Sequence, residues 1–257
     1  MQFSRITRSA TQAVAITLFS CIVITANATP ARSSRQNGGP PEVYTKPVPP
    51  PELSGVVVLF SDKKSDMDNW EYRGSHKPIH WKFLNGVIQA NGGDIITKQK
   101  FSDYWLHVEW REPWEPNNHG QERGNSGVAP YGLYEIQVLD SYGIASPGSG
   151  DCGAVYSETA PLVNACKPPR QWQTYDIVFR SPRWDASGKK TEDARVTVFQ
   201  NGQVVQNNTI IPHPTGIDEG RPEHPGPGYI LLQDHGFPVR YRDIWVVPLP
   251  EHGADHY

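Results

Sequence analysis

The chain has 257 residues, of which 24 are Lys or Arg and 27 are Asp or Glu, and its formal net charge at pH 7 is −3. Acidic and basic residues are dispersed, so the sequence lacks the basic patch that nucleic acid or an anionic membrane would require. The length suits one well-buried domain, preceded by the two N-terminal segments described next.

The first 28 residues are predicted to be a signal peptide. Arg5 and Arg8 form a basic start, an apolar run covers residues 13–25, and Ala26-Asn27-Ala28 is typical of a cleavage site. We therefore expect a periplasmic or secreted protein cut after Ala28, while Cys21 leaves a lipoprotein alternative open. No later segment approaches the ~20 apolar residues that span a bilayer, so no membrane contact is expected beyond the export signal.

Residues 29–52 are rich in Pro, Gly and Ser and have little apolar surface to bury. This composition predicts an extended or disordered linker. The domain is then expected to cover residues 53–250. The short polar tail, residues 251–257, is expected to fray although it holds His252 and His256.

Within the domain, short β-rich runs alternate with clusters of Gly, Pro, Asn and Asp, and helical periodicity is nearly absent. This pattern predicts an all-β sandwich. The predicted strands are Val56–Phe60, Trp81–Leu84, Val87–Gln89, Ile95–Thr97, Tyr104–Arg111, Tyr134–Leu139, Gln173–Arg180, Arg195–Gln200, Gln203–Gln206, Tyr229–Gln233 and Arg242–Val247. Asn85-Gly86 and Asn201-Gly202 have the composition of two-residue type I′ hairpin turns. Two long irregular segments, 112–132 and 141–170, are expected to wall one end or face of the sandwich.

The strand around residue 135 carries the most informative side chains. Ile136 and Val138 can anchor a core, while Glu135 and Gln137 point to the opposite face. A bulge at Val138–Leu139 would bring Asp140 to that face as well. Carboxylates and an amide on one sheet face indicate chemistry on a polar, uncharged substrate such as a sugar, and an ordinary solvated face is the alternative.

Two further strands offer candidate side chains. In Tyr104–Arg111 the alternation directs Glu109 away from the core, so Glu109 could share a face with Glu135. Gln233 and His235 fall on one side at the end of a later strand. The near-neutral pKa of histidine suits His235 to proton transfer or metal ligation.

Metal binding and disulfide formation are left partly open by the sequence. It contains no H-E-x-x-H, C-x-x-C or EF-hand pattern, so the metal ligands are unknown. Converging carboxylate, His and amide groups could still hold a hard divalent cation such as Ca²⁺, and no other cofactor is indicated. Export favours a disulfide between Cys152 and Cys166.

Four ordered motifs resemble the 3-keto-disaccharide hydrolase family, formerly a domain of unknown function. They are Asn125-Ser126-Gly127-Val128, the stretch 134–141 (YEIQVLDS), the stretch 172–180 (WQTYDIVFR) and Leu232-Gln233-Asp234-His235-Gly236. The likeness covers about residues 53 to 250. It implies a concanavalin A-like jelly-roll sandwich of two curved antiparallel sheets, with the ligand on the concave face.

The resemblance also implies a carbohydrate partner, namely glycosides whose sugar is oxidised to a ketone at C3. In that family, proton abstraction at C2 with elimination, followed by hydration, gives net glycoside hydrolysis. Face assignment and the motifs together suggest a catalytic set and a substrate-binding set. The catalytic set is Glu135 or His235 as the proton-transfer group, with Asp140 as its partner or a metal ligand. The substrate-binding set is Gln137, Asn125, Glu109, Trp172, Gln233 and Arg240, with Trp172 stacking on the sugar.

Two other functions stay open on the sequence. Laminarinase-type glycosidases of the same fold carry E-x-D-x-x-E or a close variant. Here Gln137 replaces the middle acid and Asp140 is one methylene shorter than the last. This departure disfavours a conventional endo-glycosidase with double displacement. A lectin-like module that binds glycans without cleaving them is the second alternative. The natural sugar, the aglycone and the oligomeric state are not specified.

Overall fold

The computed structural model describes residues 39–43, 45–46, 55–218 and 220–251. The predicted signal peptide, most of the predicted linker and the tail histidines lie outside the described residues. Where residues of the predicted linker are described, they contact the domain. Glu42 pairs with Arg111, and Val43 forms a parallel β-bridge with Gln171.

The described chain is built from strands and four short 3₁₀ segments. The strands are β1 (Val57–Phe60), β2 (Trp70–Tyr72), β3 (Lys82–Phe83), β4 (Ile88–Gln89), β5 (Ile95–Thr97), β6 (Tyr104–Arg111), β7 (Ser126–Ala129), β8 (Ile136–Val138), β9 (Gln173–Arg180), β10 (Arg183–Trp184), β11 (Lys190–Glu192), β12 (Ala194–Gln200), β13 (Gln203–Ile211), β14 (Leu231–Leu232) and β15 (Arg240–Pro248). The 3₁₀ segments are Lys64–Asn69, Gly120–Glu122, Pro130–Gly132 and Gly216–Asp218.

The strands form two main antiparallel sheets. The larger has eight strands in the order β13-β12-β9-β6-β15-β4-β3, with β1 also paired to β15. The smaller has the order β2-β5-β14-β7-β8, and β10 and β11 form a separate hairpin. The predicted all-β class is therefore confirmed.

One core lies between the two sheets, as period-2 side-chain alternation requires. From the larger sheet, Leu106, Val108 and Ile177 point inward and are fully buried. From the smaller sheet, Val128 and Ile136 join the same cluster. Burying each such side chain contributes about 1.5–3 kcal/mol, so the alternation fixes which face of each strand points outward.

Every predicted strand overlaps an observed one, although some bounds differ and four strands were missed. The strand predicted over Tyr134–Leu139 is limited to β8, and the predicted bulge is absent because β8 pairs with β7 without a register shift and ends at Val138. Strands β2, β7, β10 and β11 were not predicted. β7 lies inside the segment 112–132 that was expected to be irregular, and one of its two partners, β14, is distant in sequence.

Both predicted hairpin turns are confirmed. Asn85 and Gly86 have φ of 50° and 81°, and Asn201 and Gly202 have φ of 52° and 80°. Positive φ at both central residues is what a type I′ turn requires, and Asn and Gly tolerate it best.

Two further observations concern membrane contact and the cysteines. Among the described residues, no helix is long and apolar enough to cross a membrane. Cys152 and Cys166 are free thiols here, and the Gln200 side-chain amide contacts both sulfur atoms, at 3.4 and 3.2 Å. The disulfide stays a prediction.

Candidate active site

Glu135 and Gln137 lie on the outer face of the smaller sheet. Glu135 directly precedes β8, whose Ile136 and Val138 point into the core. Gln137 is paired with Gly127 of β7. Glu135 and Gln137 therefore both lie next to Gly127, which has no side chain. The sequence alternation around residue 135 is thus confirmed.

Two glycines leave the space that the Glu135 carboxyl group fills. A Cβ on Gly127 would lie 2.6 Å from Glu135 Oε1, and a Cβ on Gly216 would lie 1.8 Å from Glu135 Oε2. Gly216 also has φ +58°, a conformation that glycine adopts at low cost. The Ile217 backbone N–H donates a hydrogen bond of 2.9 Å to Glu135 Oε2. The carboxyl group is therefore held in one position by β7 on one side and by residues 216–217 on the other.

Burial sets the acidity of this carboxyl group. The Glu135 side chain is almost fully enclosed, and this raises its pKa from 4.5 to about 7. The Ile217 hydrogen bond lowers the pKa, while the negative charges of Asp94 and Asp218 raise it. A carboxyl group that titrates near neutrality can both take and return a proton during a reaction.

Two amide oxygens beside Glu135 lack hydrogen-bond partners among the described residues. Gln137 Nε2 donates to Gln121 Oε1 at 2.9 Å, which leaves its buried Oε1 available. Gln233 is anchored by its backbone, whose N–H donates to Gly127 O at 3.0 Å, and its buried Oε1 is also unpartnered. A buried unpaired acceptor is costly, so these oxygens are suited to hydroxyl donors of a ligand.

These groups line a cavity of about 230 Å³. Its lining residues are Gln121, Asn125, Glu135, Gln137, Tyr156, Gly216, Ile217, Gln233 and His235. His235 is exposed, with its ring stacked 6.1 Å from that of Phe237. The structure therefore brings five of the predicted residues together: Glu135, Gln137, Asn125, Gln233 and His235.

Asp140 is not among the lining residues, which corrects its predicted place beside Glu135. Because β8 ends at Val138 without a bulge, the chain turns away, and the Asp140 carboxylate pairs with Arg123. Its second oxygen accepts the Tyr142 N–H at 3.2 Å. Burial raises the pKa of Asp140, and the Arg123 charge opposes that rise.

Glu109, Trp172 and Arg240, which were predicted to serve the same sugar site, do not line the Glu135 cavity. All three belong to the outer side of the larger sheet. Glu109, in β6, pairs with Arg242 at 2.6 Å. Trp172 is buried, and its ring lies against the guanidinium groups of Arg111 and Arg242 at 4.9 and 4.1 Å. Alternation within a strand predicts the face of a side chain but not the sheet to which the strand belongs.

Arg240 lines a different cavity, of about 340 Å³, on that side of the molecule. Its Nε donates to Gln89 Oε1 at 3.0 Å across the β15–β4 pair. The Arg240 side chain therefore lies along the larger sheet rather than in the Glu135 cavity.

Four lining residues were missed by the sequence reasoning: Gln121, Tyr156, Gly216 and Ile217. Gln121 also accepts a hydrogen bond from Asn125 Nδ2 at 3.0 Å, so it positions both predicted amides. All four lie outside the strands, where spacing carries no information on direction. Gly216 follows Thr215 in a turn-like sequence, which indicates a loop but not its approach to Glu135.

The candidate metal ligands also lie elsewhere than expected. Of the described residues, His107, Glu109 and Asp243 form a buried group whose ligand atoms lie within 4.8 Å of one another. This group is on the larger sheet, whereas a cation was expected beside Glu135 on the smaller sheet.

The structure defines an antiparallel two-sheet sandwich with a carboxyl- and amide-lined cavity on the outer face of its smaller sheet. Residues 55–247 match the 3-keto-disaccharide hydrolase family, described as a 3-keto-alpha-glucoside-1,2-lyase-like domain, and the chain belongs to this family. No functionally curated protein matches the chain.

Solved structures agree with this assignment. One from Parabacteroides distasonis, described as a candidate glycosyl hydrolase, is 36% identical with a TM-score of 0.69 and covers 80% of this chain and 94% of its own. Two others from the same organism and with the same description are 19% and 22% identical, with TM-scores of 0.52 and 0.51. Each covers 76% of this chain, and they cover 94% and 99% of their own, so they support the fold alone. The family and the first relative support a carbohydrate-active enzyme of the predicted jelly-roll class.

Proposed function

We propose that this protein cleaves 3-keto-glycosides by elimination, with Glu135 as the base. The proposal rests on one observation. The Glu135 carboxyl group, with its pKa raised to about 7, lies in the same cavity as two unpartnered amide oxygens.

The reaction follows from the acidity that a ketone gives to its neighbour. The C3 ketone acidifies the proton on C2, and Glu135 removes that proton. The electron pair left on C2 forms the C1–C2 double bond as the C1–O bond to the aglycone breaks. The departing oxygen takes up a proton, and the sugar leaves as a 2-hydroxy-3-keto-glucal. Addition of water across C1–C2 then gives the free keto-sugar, so the net reaction is hydrolysis.

The other lining side chains suit supporting roles. The free oxygens of Gln137 and Gln233 would accept hydrogen bonds from sugar hydroxyls, with Asn125 beside them. His235, exposed at the mouth of the cavity, would supply the proton to the departing oxygen. These interactions place a neutral, hydroxyl-rich ligand next to a buried base.

The same geometry disfavours a conventional glycosidase. Retaining and inverting glycosidases both use a pair of carboxyl groups that flank the scissile bond. Glu135 is the one carboxylate among the described residues that line this cavity, since Asp140 is paired with Arg123. One base is sufficient for abstraction of an acidified proton. We further propose that the reaction takes place outside the cytoplasm, after removal of residues 1–28.

The test is turnover of 3-keto-trehalose and a 3-keto-glucoside by the purified chain, with the glucal and the keto-sugar followed by mass spectrometry. Deuterium at C2 should slow the reaction, because that bond breaks in the step assigned to Glu135. Glu135→Gln should lower turnover about 100-fold or more. Glu122→Gln, at an exposed position, is the matched control.

Two outcomes would contradict the proposal. Saturable glycan binding without turnover, unchanged in Glu135→Gln, would favour the lectin-like alternative. Release of reducing ends from unoxidised glucans would instead favour an endo-glycosidase.

A further inference from the structure

A second group of chemically active side chains lies on the outer face of the larger sheet, on the opposite side of the sandwich from Glu135. His107 and Glu109 alternate on β6, and Asp243 belongs to the neighbouring strand β15. His107 is 1% exposed, Glu109 2% and Asp243 8%. Side chains of this polarity are rarely buried together without a partner that satisfies them.

A β-bulge brings the third side chain into the group. Glu109 is paired with Arg242 and His107 with Trp245, so two steps along β6 correspond to three along β15. The extra residue lets Ile244 point into the core while Asp243 stays on the outer side. Asp243 has φ +48°, which Asp tolerates better than most residues. Bulges often re-aim a side chain in this way beside functional sites.

The orientation of His107 leaves one ring nitrogen directed at the two carboxylates. Its Nδ1 lies 2.9 Å from Asp176 Oδ1, which also accepts the Trp105 Nε1–H at 3.0 Å. The ring is stacked on Trp245 at 4.8 Å. Because the carboxylate of Asp176 accepts the Nδ1 proton, Nε2 is the atom available to a metal, as in the carboxylate–histidine–metal arrangement of many metal sites.

His107 Nε2 lies 3.9 Å from Glu109 Oε1 and 4.0 Å from Asp243 Oδ2. Both His107 Nε2 and Asp243 Oδ2 are buried without a hydrogen-bond partner among the described residues. The three donor atoms lie within 4.8 Å of one another, so an ion at their centre would lie roughly 2.3–2.5 Å from each of them. Zinc bonds of about 2.0–2.2 Å therefore need a contraction of only a few tenths of an ångström.

The charges around the group favour a cation. Glu109, Asp176 and Asp243 are acidic, whereas Arg242 donates to Glu109 Oε2 at 2.6 Å and Lys167 lies near enough to Glu109 to interact with its charge.

We propose that His107, Glu109 and Asp243 bind a divalent transition-metal ion that joins β6 to β15 at the bulge. An imidazole donor with two carboxylates suits Zn²⁺ better than Ca²⁺ or Mg²⁺, which prefer oxygen ligands alone. The ion bridges two neighbouring strands of the larger sheet, and its site is separate from the sugar cavity.

The experiment is Zn²⁺ titration of the chelator-treated full chain by calorimetry, with Ca²⁺ and Mg²⁺ in parallel. We expect one Zn²⁺ per chain and a rise in Tm of about 5–10 °C at roughly a hundred times Kd. Asp243→Asn keeps a residue that tolerates the left-handed backbone, so it should fold and bind Zn²⁺ at least tenfold more weakly. His107→Gln should have the same effect, with folding checked by circular dichroism.

The controls separate this site from other histidines and from the sugar cavity. His80→Gln, at an exposed position, and Glu135→Gln should both keep wild-type Zn²⁺ affinity. The proposal is overturned if the folded wild-type chain binds far less than one Zn²⁺, or if Asp243→Asn binds it as tightly as wild type. Loss of the ion in Glu135→Gln, or tight binding of Ca²⁺ without Zn²⁺, would overturn it equally.

Discussion

Replacing Glu135 with Gln should remove activity and at the same time stabilise the fold above neutral pH. The carboxyl group is held almost fully buried, and its pKa is raised from 4.5 to about 7 chiefly by that burial. A rise of this size corresponds to about 3 kcal/mol of folding free energy that is lost once the group is ionised. Glutamine is of similar shape, and its side-chain oxygen can still accept the Ile217 N–H.

The sign of the pH dependence follows from which state holds the proton. Near pH 4 the carboxyl group is protonated in both the folded and the unfolded chain, so it contributes no difference. Between about 4.5 and 7 the unfolded chain loses the proton while folded Glu135 keeps it, and stability falls as pH rises. Above pH 7 the folded carboxyl group is also ionised and the loss is complete.

The assay is thermal unfolding of wild type and Glu135→Gln across this range. For a domain of this size, about 3 kcal/mol is a Tm difference of roughly 6–12 °C near pH 8, shrinking toward zero near pH 4. Glu122→Gln should show no such trend. Equal Tm values for Glu135→Gln and wild type at both pH values would refute the reasoning, as would a Tm difference independent of pH.

Three other outcomes are expected, two at the Glu135 cavity and one at the cysteines. Gly127→Ala should displace the Glu135 carboxyl group and lower kcat/KM at least tenfold, whereas Gly148→Ala, whose Cβ would meet nothing closer than 3.7 Å, should leave kcat/KM unchanged. Gln233→Met keeps the volume but removes an acceptor, so KM for the keto-sugar should rise about tenfold, as measured by initial rates. Peptide mapping of exported protein without reductant should find Cys152 linked to Cys166, and two free thiols there would show that the bridge does not form.

The sequence by itself determined most of the strands, although not β2, β7, β10 or β11, and the local faces of those it predicted. Alternation along Tyr104–Arg111 and Gln173–Arg180 is strong because each strand directs one apolar face into the core, and both strands are observed with the bounds expected. The Asn-Gly turns were predictable because their backbone conformation is a local property of those two residues. The outward direction of Glu135 and Gln137 followed from the same period of two.

Only the tertiary structure decided which outward faces meet. Glu109 and Glu135 obey the same alternation, yet they lie on different sheets on opposite sides of the core. Sheet membership depends on hydrogen bonds between strands far apart in sequence, such as β7 with β14, and no local pattern encodes it. The bulge that turns Asp243 toward His107 and the approach of Gly216 to Glu135 are of the same kind. Each arises from the packing of distant segments. That packing places the Glu135 cavity on one outer face of the sandwich and the candidate metal site on the other.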